Sequence, residues 1–378
     1  MFFHHLSMYK SSFRFVLLIG LLALTHLTIV HAKSNDETAV KKNIQSEKNK
    51  LNKSYKSNKD KTSKDIKVVG EDDRSKKRIK SPKNSREVRT TVMPRNRMAE
   101  PVPPRMSKGT ALGLSKKPDE LNLKSNASIV VDQQNQRVIF DKNSQIVLPI
   151  ASITKLLTAM TVLDAKLPMD EELEINDEDA SIYNHSRLIK GTVLTRREAL
   201  LLALMSSENR AAYTLGRNYP GGITVFMAAL NNKAKEIGMK HSSFSDPTGL
   251  TSKNVATAED LAIMIQAAYQ YPLIKQFTTT PSHVKEIHHR EQTFLNSNRL
   301  VRSGDMEILI QKTGYISEAG RCLVLMANIN NKVFTMVFLD SMGSQSRFAD
   351  AVRVKEWVES SDEYPTLRQL TPLKPVLN

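Results

Sequence analysis

Three short segments of this chain carry side chains able to do covalent chemistry together. The first is Pro149-Ile150-Ala151-Ser152-Ile153-Thr154-Lys155, which runs into Leu156, Leu157, Met160 and Leu163. A helix starting near Ser152 sets Lys155 on the same face one turn on, because positions i and i+3 are neighbours. A serine hydroxyl is a poor nucleophile until a base takes its proton, and a neutral lysine is such a base. A lysine, with a reference pKa of about 10.4, is neutral near pH 7 only when desolvated or set beside another cation. The apolar run after Lys155 provides that burial. A serine at a helix start also has its own N–H among the free donors there, available to an oxyanion.

The second segment is Ser207-Glu208-Asn209, just past the helical run Ala199 to Met205. A Ser and an Asn two apart in a short loop can both face one cleft, the hydroxyl relaying a proton and the amide binding a substrate backbone. The same letters also suit a helix end followed by the N-cap of the next helix. The third is Lys312-Thr313-Gly314, which follows the β-rich run Met306 to Gln311 and is expected on a strand. Lys312 offers a positive charge for a carboxylate, Thr313 a hydroxyl, and Gly314 a place without a Cβ where a ligand backbone can come close. Each segment alone is weak: Ser-x-x-Lys recurs at Ser7/Lys10 and Ser282/Lys285, and Ser-x-Asn at Ser252/Asn254. The order Ser-x-x-Lys, Ser-x-Asn, Lys-Thr-Gly, each on the required type of element, is strong, and matches the set of penicillin-binding proteins and β-lactamases.

The elements that must position these residues can be read from pattern. Ala127 to Asp132 and Arg137 to Asp141 are short strands around a polar turn at Gln133 to Gln136. Arg321 to Ile329 and Lys332 to Asp340 are β-rich runs joined by Asn330-Asn331, a good hairpin turn. Between these pairs the signals are helical. Thr195-Arg196-Arg197-Glu198 is a capping box, Thr257-Ala258-Glu259-Asp260 resembles another, and the amphipathic run Thr224 to Ile237 stops at Gly238. The fold class expected is α/β in the layered α+β sense: an antiparallel sheet with strands from both ends of the domain, flanked by helices, with an inserted all-helical lobe. The cleft between lobe and sheet is the expected site.

The net charge of +16 suggests a nucleic-acid binder until its location is examined. Residues 33–118 hold 25 Lys and Arg against 10 Asp and Glu, whereas 119–378 hold 28 against 29. The basic stretch is poor in aromatics and apolar residues and is expected to be a disordered linker. Two readings fit it, a plain spacer and an electrostatic attachment to anionic membrane or wall polymer. No nucleic-acid partner is expected. Lys10 and Arg14 precede the apolar run Phe15 to Val30, and Val30-His31-Ala32 fits the small-x-small rule, so 1–32 is read as a cleaved signal peptide rather than a retained anchor. Cys322 is the only cysteine, so no internal disulfide can form. His283, His288 and His289 lack a metal-ligand arrangement and are read as loop residues, Asp177, Glu178 and Asp179 as a polar loop, and Met160, Met205, Met227 and Met264 as core filler; no metal and no cofactor is expected.

The domain resembles the low-molecular-mass penicillin-binding proteins, and within them the D-alanyl-D-alanine endopeptidase type. The resemblance is carried by Ile150 to Asp164, Leu200 to Ala212, Asp246-Pro247-Thr248-Gly249-Leu250 and Gln311 to Leu323. It implies a β-lactamase/transpeptidase-like fold over 119–360, with 361–378 a tail, and a periplasmic serine peptidase acting on peptidoglycan peptide stems, with β-lactams as inhibitors. It further implies that Ser152 attacks, Lys155 takes the proton, Ser207 relays a proton to the leaving amine, and Asn209 orients substrate and Lys155. Lys312, Thr313 and Gly314 would bind substrate, and the backbone N–H of Tyr315 would be the second oxyanion donor. No Glu-x-x-Leu-Asn loop stands between Asn209 and Lys312, which disfavours a β-lactamase; Glu291 is five residues before Asn296 rather than four. A D-alanyl-D-alanine carboxypeptidase and a non-catalytic peptidoglycan-binding protein stay open as alternatives. Whether Arg210 and Tyr315 tune specificity is also open.

Overall fold

The computed structural model describes residues 106–183, 185–361 and 363–370. The expected signal peptide and most of the basic stretch lie outside the described residues. The centre of the fold is an antiparallel sheet ordered β12-β2-β1-β11-β10-β9. Here β1 is Ser125–Asp132, β2 Arg137–Lys142, β9 Glu307–Ile316, β10 Gly320–Ile329, β11 Lys332–Ser341 and β12 Arg368–Gln369. Thus β1, from the start of the domain, lies between β2 and β11, and the sheet draws strands from both ends, as its pattern implies. Asn330 and Asn331 both take positive φ (51° and 61°), the conformation a two-residue β10–β11 turn requires.

Every residue of β1 is buried, because both faces of the sheet are covered. Alternation sorts its side chains. Val130, with Leu323, Leu325, Phe334, Met336 and Phe338, packs on one face with Phe348, Ala351, Val354 and Val358 of the C-terminal helix Ser346–Ser360. Ile129 and Val131, with Val324, Met326, Val337 and Leu339, belong to the other and larger core. That core continues through the almost wholly buried helix Ala258–Ala268 into the helical lobe, built from Lys155–Asp164, Arg196–Met205, Asn209–Arg217 and Gly222–Glu236. Lys155–Asp164 is buried nearly all round, as expected of a helix at the centre of its lobe. The capping box at Thr195 and Glu198 is present with both bonds; Thr257 caps its helix by accepting from the N–H of Asp260.

Four expectations need correction: the start and end of the folded part, the loop assignment of 177–179, and the loop assignment of His283. The folded part begins before residue 119: Ser107 caps a short helix, Lys108–Ala111, whose Gly109 N–H donates to Asp340 Oδ2 at 2.7 Å. A Cβ on Gly109 would fall 2.2 Å from that oxygen, so the docking needs glycine. Similarly, the stretch after 360 includes β12, which pairs with β2 and is pinned by ion pairs from Arg368 to Asp141 and Glu259. Asp177, Glu178 and Asp179 are the first turn of a helix, Asp177–Ile182, capped reciprocally by Asn176 and Asp179, and not a loop. A two-stranded hairpin, β7 Ser282–Ile287 and β8 Arg290–Leu295, stands apart from the main sheet; His283 is on its first strand and His288 and His289 form its turn. Among the described residues no helix is long and apolar enough to cross a membrane.

Candidate active site

The segment around Ser152 is held by strained backbone and by two glycines from distant parts of the chain. Ala151 takes φ of 50°, an uncommon conformation for a residue with a Cβ, and opens a 3-10 turn, Ala151–Thr154, that leads into the helix from Lys155. A Cβ on Gly249 would lie 2.0 Å from the Ala151 carbonyl oxygen; one on Gly314 would lie 2.8 Å from that of Ile150. Gly249 also requires its positive φ of 82°. Ile150 N–H donates to Asn254 O, and β3, Leu148–Pro149, pairs with β6, Val255–Ala256. The serine is therefore presented by a rigid turn wedged between a loop and the edge strand β9.

Lys155 is 1% exposed and its ammonium has three acceptors: Ser152 Oγ at 2.8 Å, Asn209 Oδ1 at 2.7 Å and Thr248 O at 2.7 Å. Burial lowers its pKa from 10.5 to about 7, against an opposing pull from Asp246 and Glu208. The neutral amine has only two N–H bonds and one lone pair. With Asn209 Oδ1 and Thr248 O taking the two protons, the lone pair is left pointing at Ser152, which is the orientation a base needs. Thr248 O is itself fixed. Asp246 accepts from the N–H groups of Thr248, Gly249 and Thr251, while Asn254 accepts from Ser245 and Asp246 N–H and donates to Thr154 Oγ1. Thr158 Oγ1 donates to Pro247 O at 2.7 Å. The stretch from Asp246 to Asn254 is thus the scaffold of the Ser-Lys pair.

Ser207 sits between the helices Arg196–Met205 and Asn209–Arg217 with φ of 65°, a second strained non-glycine residue. Asn209 is the first residue of the following helix, so one loop sends its serine and its asparagine to different lysines. Lys312 Nζ donates to Ser207 Oγ and to Thr313 O, both at 2.9 Å. Lys312 is fully buried, and its pKa is held well below 10.5 by burial first, then by repulsion from Lys155 and Arg347. Thr313 Oγ1 donates to Ser297 Oγ at 2.6 Å, and Ser297 N–H donates to Met205 O. Tyr315 follows on the same strand, half-exposed and paired with Arg321 across β10.

Hydrogen bonds therefore join Ser152, Lys155 and Asn209 in one group and Ser207 and Lys312 in another, with Gly314 against the serine turn and Thr313 and Tyr315 beside it on β9. The residues that build the scaffold, Asp246, Thr248, Asn254 and Ser297, carry no chemical signature in the sequence. Asp246-Pro247-Thr248-Gly249 does carry a turn signal, an Asp ahead of Pro and Gly, but nothing in it points at Lys155. Arg210 donates to the carbonyls of Ala180, Tyr183 and Leu188, and its guanidinium is taken up by those backbone contacts. Among the described residues there is no group of three or more His, Cys, Asp or Glu able to hold a metal ion.

A family profile described as D-alanyl-D-alanine carboxypeptidase matches residues 114–343. The chain is 45% identical over 247 residues to a D-alanyl-D-alanine endopeptidase of Pseudomonas aeruginosa, spanning 64% of this chain and 80% of the relative. It is 41% identical over 274 residues to the D-alanyl-D-alanine endopeptidase of Escherichia coli, spanning 71% of this chain and 87% of the relative. Among solved structures, penicillin-binding protein D2 from Listeria monocytogenes, in its ampicillin-bound form, superposes with a TM-score of 0.55 at 28% identity, covering 64% of this chain and 98% of that one. The sheet-and-lobe architecture, the serine turn with its buried lysine and these matches agree, and the chain belongs to the D-alanyl-D-alanine carboxypeptidase family of serine peptidases.

Proposed function

We propose that this protein is a serine endopeptidase that hydrolyses D-alanyl cross-links between peptidoglycan stems, through an acyl-enzyme on Ser152. The observation that carries this reading is the buried Lys155 amine 2.8 Å from Ser152 Oγ, with a pKa lowered to about 7. At neutral pH a substantial fraction of it is unprotonated and able to take the serine proton. Ser152 Oγ attacks the carbonyl carbon of the acyl D-alanine as its proton passes to Lys155. The oxygen of the tetrahedral intermediate is met by the N–H groups of Ser152 and Tyr315. The C–N bond then breaks as the proton held by Lys155 passes through Ser207, itself hydrogen-bonded to Lys312, to the leaving amine, and Lys155 is neutral again. Water attacks the ester as Lys155 takes its proton, and that proton passes to Ser152 Oγ as the acyl–oxygen bond breaks, releasing a free D-alanine carboxylate and restoring the enzyme. Lys312 and Thr313 bind the carboxylate next to the scissile bond, and Gly314 and Tyr315 pair with the substrate backbone along the open edge of β9.

The endopeptidase relatives at 41% and 45% identity support cross-links as substrate over a terminal D-alanine. The ampicillin-bound relative supports β-lactams as inhibitors that acylate the same serine. An export-type N-terminus and a wall substrate together support a periplasmic place of action. Labelling the full chain with a fluorescent penicillin, beside a Ser152→Ala variant, tests the nucleophile. An adduct in the first and none in the second is expected, and a folded wild type that takes no label would sink the acyl-transfer reading. Digestion of cross-linked and of uncross-linked stem peptides then separates the activities. Release of monomeric stems is expected; release of free D-alanine alone would make the protein a carboxypeptidase.

A further inference from the structure

Beyond Tyr315 the end of the sheet holds a cavity of about 300 Å³, lined among others by Ser107, Tyr315, Ser317, Arg321 and Ser344. It lies where β9 ends and β10 begins, and its cation is Arg321, the cross-strand partner of Tyr315. The Arg321 guanidinium lies over the Tyr315 ring, 4.3 Å from its centroid, so the planar group is held in one orientation by an aromatic face. Asp340 also lines the cavity, its Oδ2 accepting from Gly109 N–H and the Asn126 side-chain amide, so a buried negative charge stands on the inner wall. Arg347 lies close enough for Arg321 to help push its pKa down to about 10, burial being the larger cause. The cavity therefore combines the Arg321 guanidinium at its mouth, a rim of serine hydroxyls and the buried Asp340 carboxylate, already engaged by Gly109 and Asn126.

The direction in which substrate crosses this edge follows from its two fixed points. The leaving-side carboxylate is at Lys312 and Thr313, and the scissile carbonyl is at the N–H of Tyr315. The acyl side of the substrate then runs on past Tyr315 toward Ser317. At about 3.3 Å per residue, the two residues before the acyl D-alanine come level with the cavity. Resting on the acyl-transfer reading of Ser152, we propose that this cavity is a subsite for the acyl-donor stem, in which Arg321 binds a carboxylate carried one or two residues before the acyl D-alanine. The ligand class is an anionic peptide, and Arg321 is a specificity determinant remote from the reacting atoms.

The full chain is assayed with two synthetic D-alanyl cross-linked peptides, one with free carboxylates and one with carboxamides on the two residues before the acyl D-alanine. The wild type is expected to favour the carboxylate peptide about tenfold in kcat/KM, through KM, the range of one charge-assisted hydrogen bond. Arg321→Gln is expected to abolish that preference, and Arg321→Lys, which keeps the cation, to retain part of it. A preference that survives Arg321→Gln, or equal losses on both peptides, would overturn the subsite and leave Arg321 as a support for Tyr315. Penicillin labelling of the wild type keeps the two readings apart. No label defeats the acyl-enzyme itself, whereas label without any carboxylate preference defeats the subsite alone.

Discussion

The two walls of the cleft each bury a lysine, and they bury it differently. On the helical wall, Lys155 is held by Asn209 Oδ1 and Thr248 O, with the carboxylates of Asp246 and Glu208 close enough to pull its pKa up against burial. On the sheet wall, Lys312 has Ser207 Oγ and Thr313 O, and its charged neighbours are the cations Lys155 and Arg347. A lysine with two fixed acceptors and a nearby nucleophile is organised to give and take a proton. A lysine whose charged neighbours are cations is set to receive an anion, because an incoming carboxylate offsets the repulsion. In the proposed mechanism, similar burial thus serves a base on one wall and an anion receptor on the other, and what separates them is the charge of the surroundings.

The largest expected effect breaks the helical wall. Lys155→Ala removes the base and is expected to slow penicillin acylation of Ser152 by about 10²- to 10⁴-fold, the range of general-base catalysis. In the wild type the reactive form has Lys155 neutral, so its population rises with pH. The acylation rate is expected to climb about tenfold per pH unit well below 7 and to level off above it, following the Lys155 pKa of about 7. Stopped-flow labelling from pH 5 to 9 measures both. A flat profile would mean that some other group takes the serine proton.

On the sheet wall, Lys312→Ala is expected to cost about 10² in kcat/KM on substrates that keep the carboxylate beside the scissile bond, as expected for losing a buried charge-assisted contact. Substrates in which that carboxylate is amidated are expected to lose far less. Equal losses would sharpen the comparison in the other direction, by making Lys312 part of the proton path through Ser207 rather than an anion receptor.

What could be read in the sequence divides along the same lines. Side chains able to move a proton or an acyl group must be of a certain type at a certain spacing, which is why the sequence offers Ser152, Lys155, Ser207, Asn209 and Lys312 as candidates, and the structure joins them in two hydrogen-bonded groups. The strands on either side of Asn330-Asn331 were equally plain, since alternation and a turn dipeptide are local signals. The 106–118 segment and β12 were not, because short elements that dock by one buried carboxylate or one two-residue ladder have no periodicity. The scaffold Asp246 to Asn254 works through backbone carbonyls and N–H groups, which every residue has, so its sequence does not announce its target. Gly249 is the exception that can be tested. Gly249→Ala places a methyl against the Ala151 carbonyl at a positive φ. It is expected to destabilise the fold by about 3 kcal/mol or more in chemical denaturation, or else to shift the serine turn. Retained stability together with normal acylation would mean that the turn is less constrained than its contacts require.

The smallest effect concerns Ser297, which touches both walls: its N–H donates to Met205 O just before the Ser207 loop, and its hydroxyl accepts from Thr313. The backbone bond survives substitution, so Ser297→Ala should fold normally and lose only the orientation of the Thr313 hydroxyl. Losing one such bond is worth about 1 kcal/mol. The expected result is a rise of roughly fivefold in KM for carboxylate-bearing peptides, with kcat nearly unchanged. Because the role is to orient Thr313, Ser297→Ala should add nothing once Thr313→Val has removed that hydroxyl. Additive losses in the double variant would instead mean that Ser297 meets substrate directly, and the sheet wall would then gain a ligand of its own from the loop that joins it to the helical one.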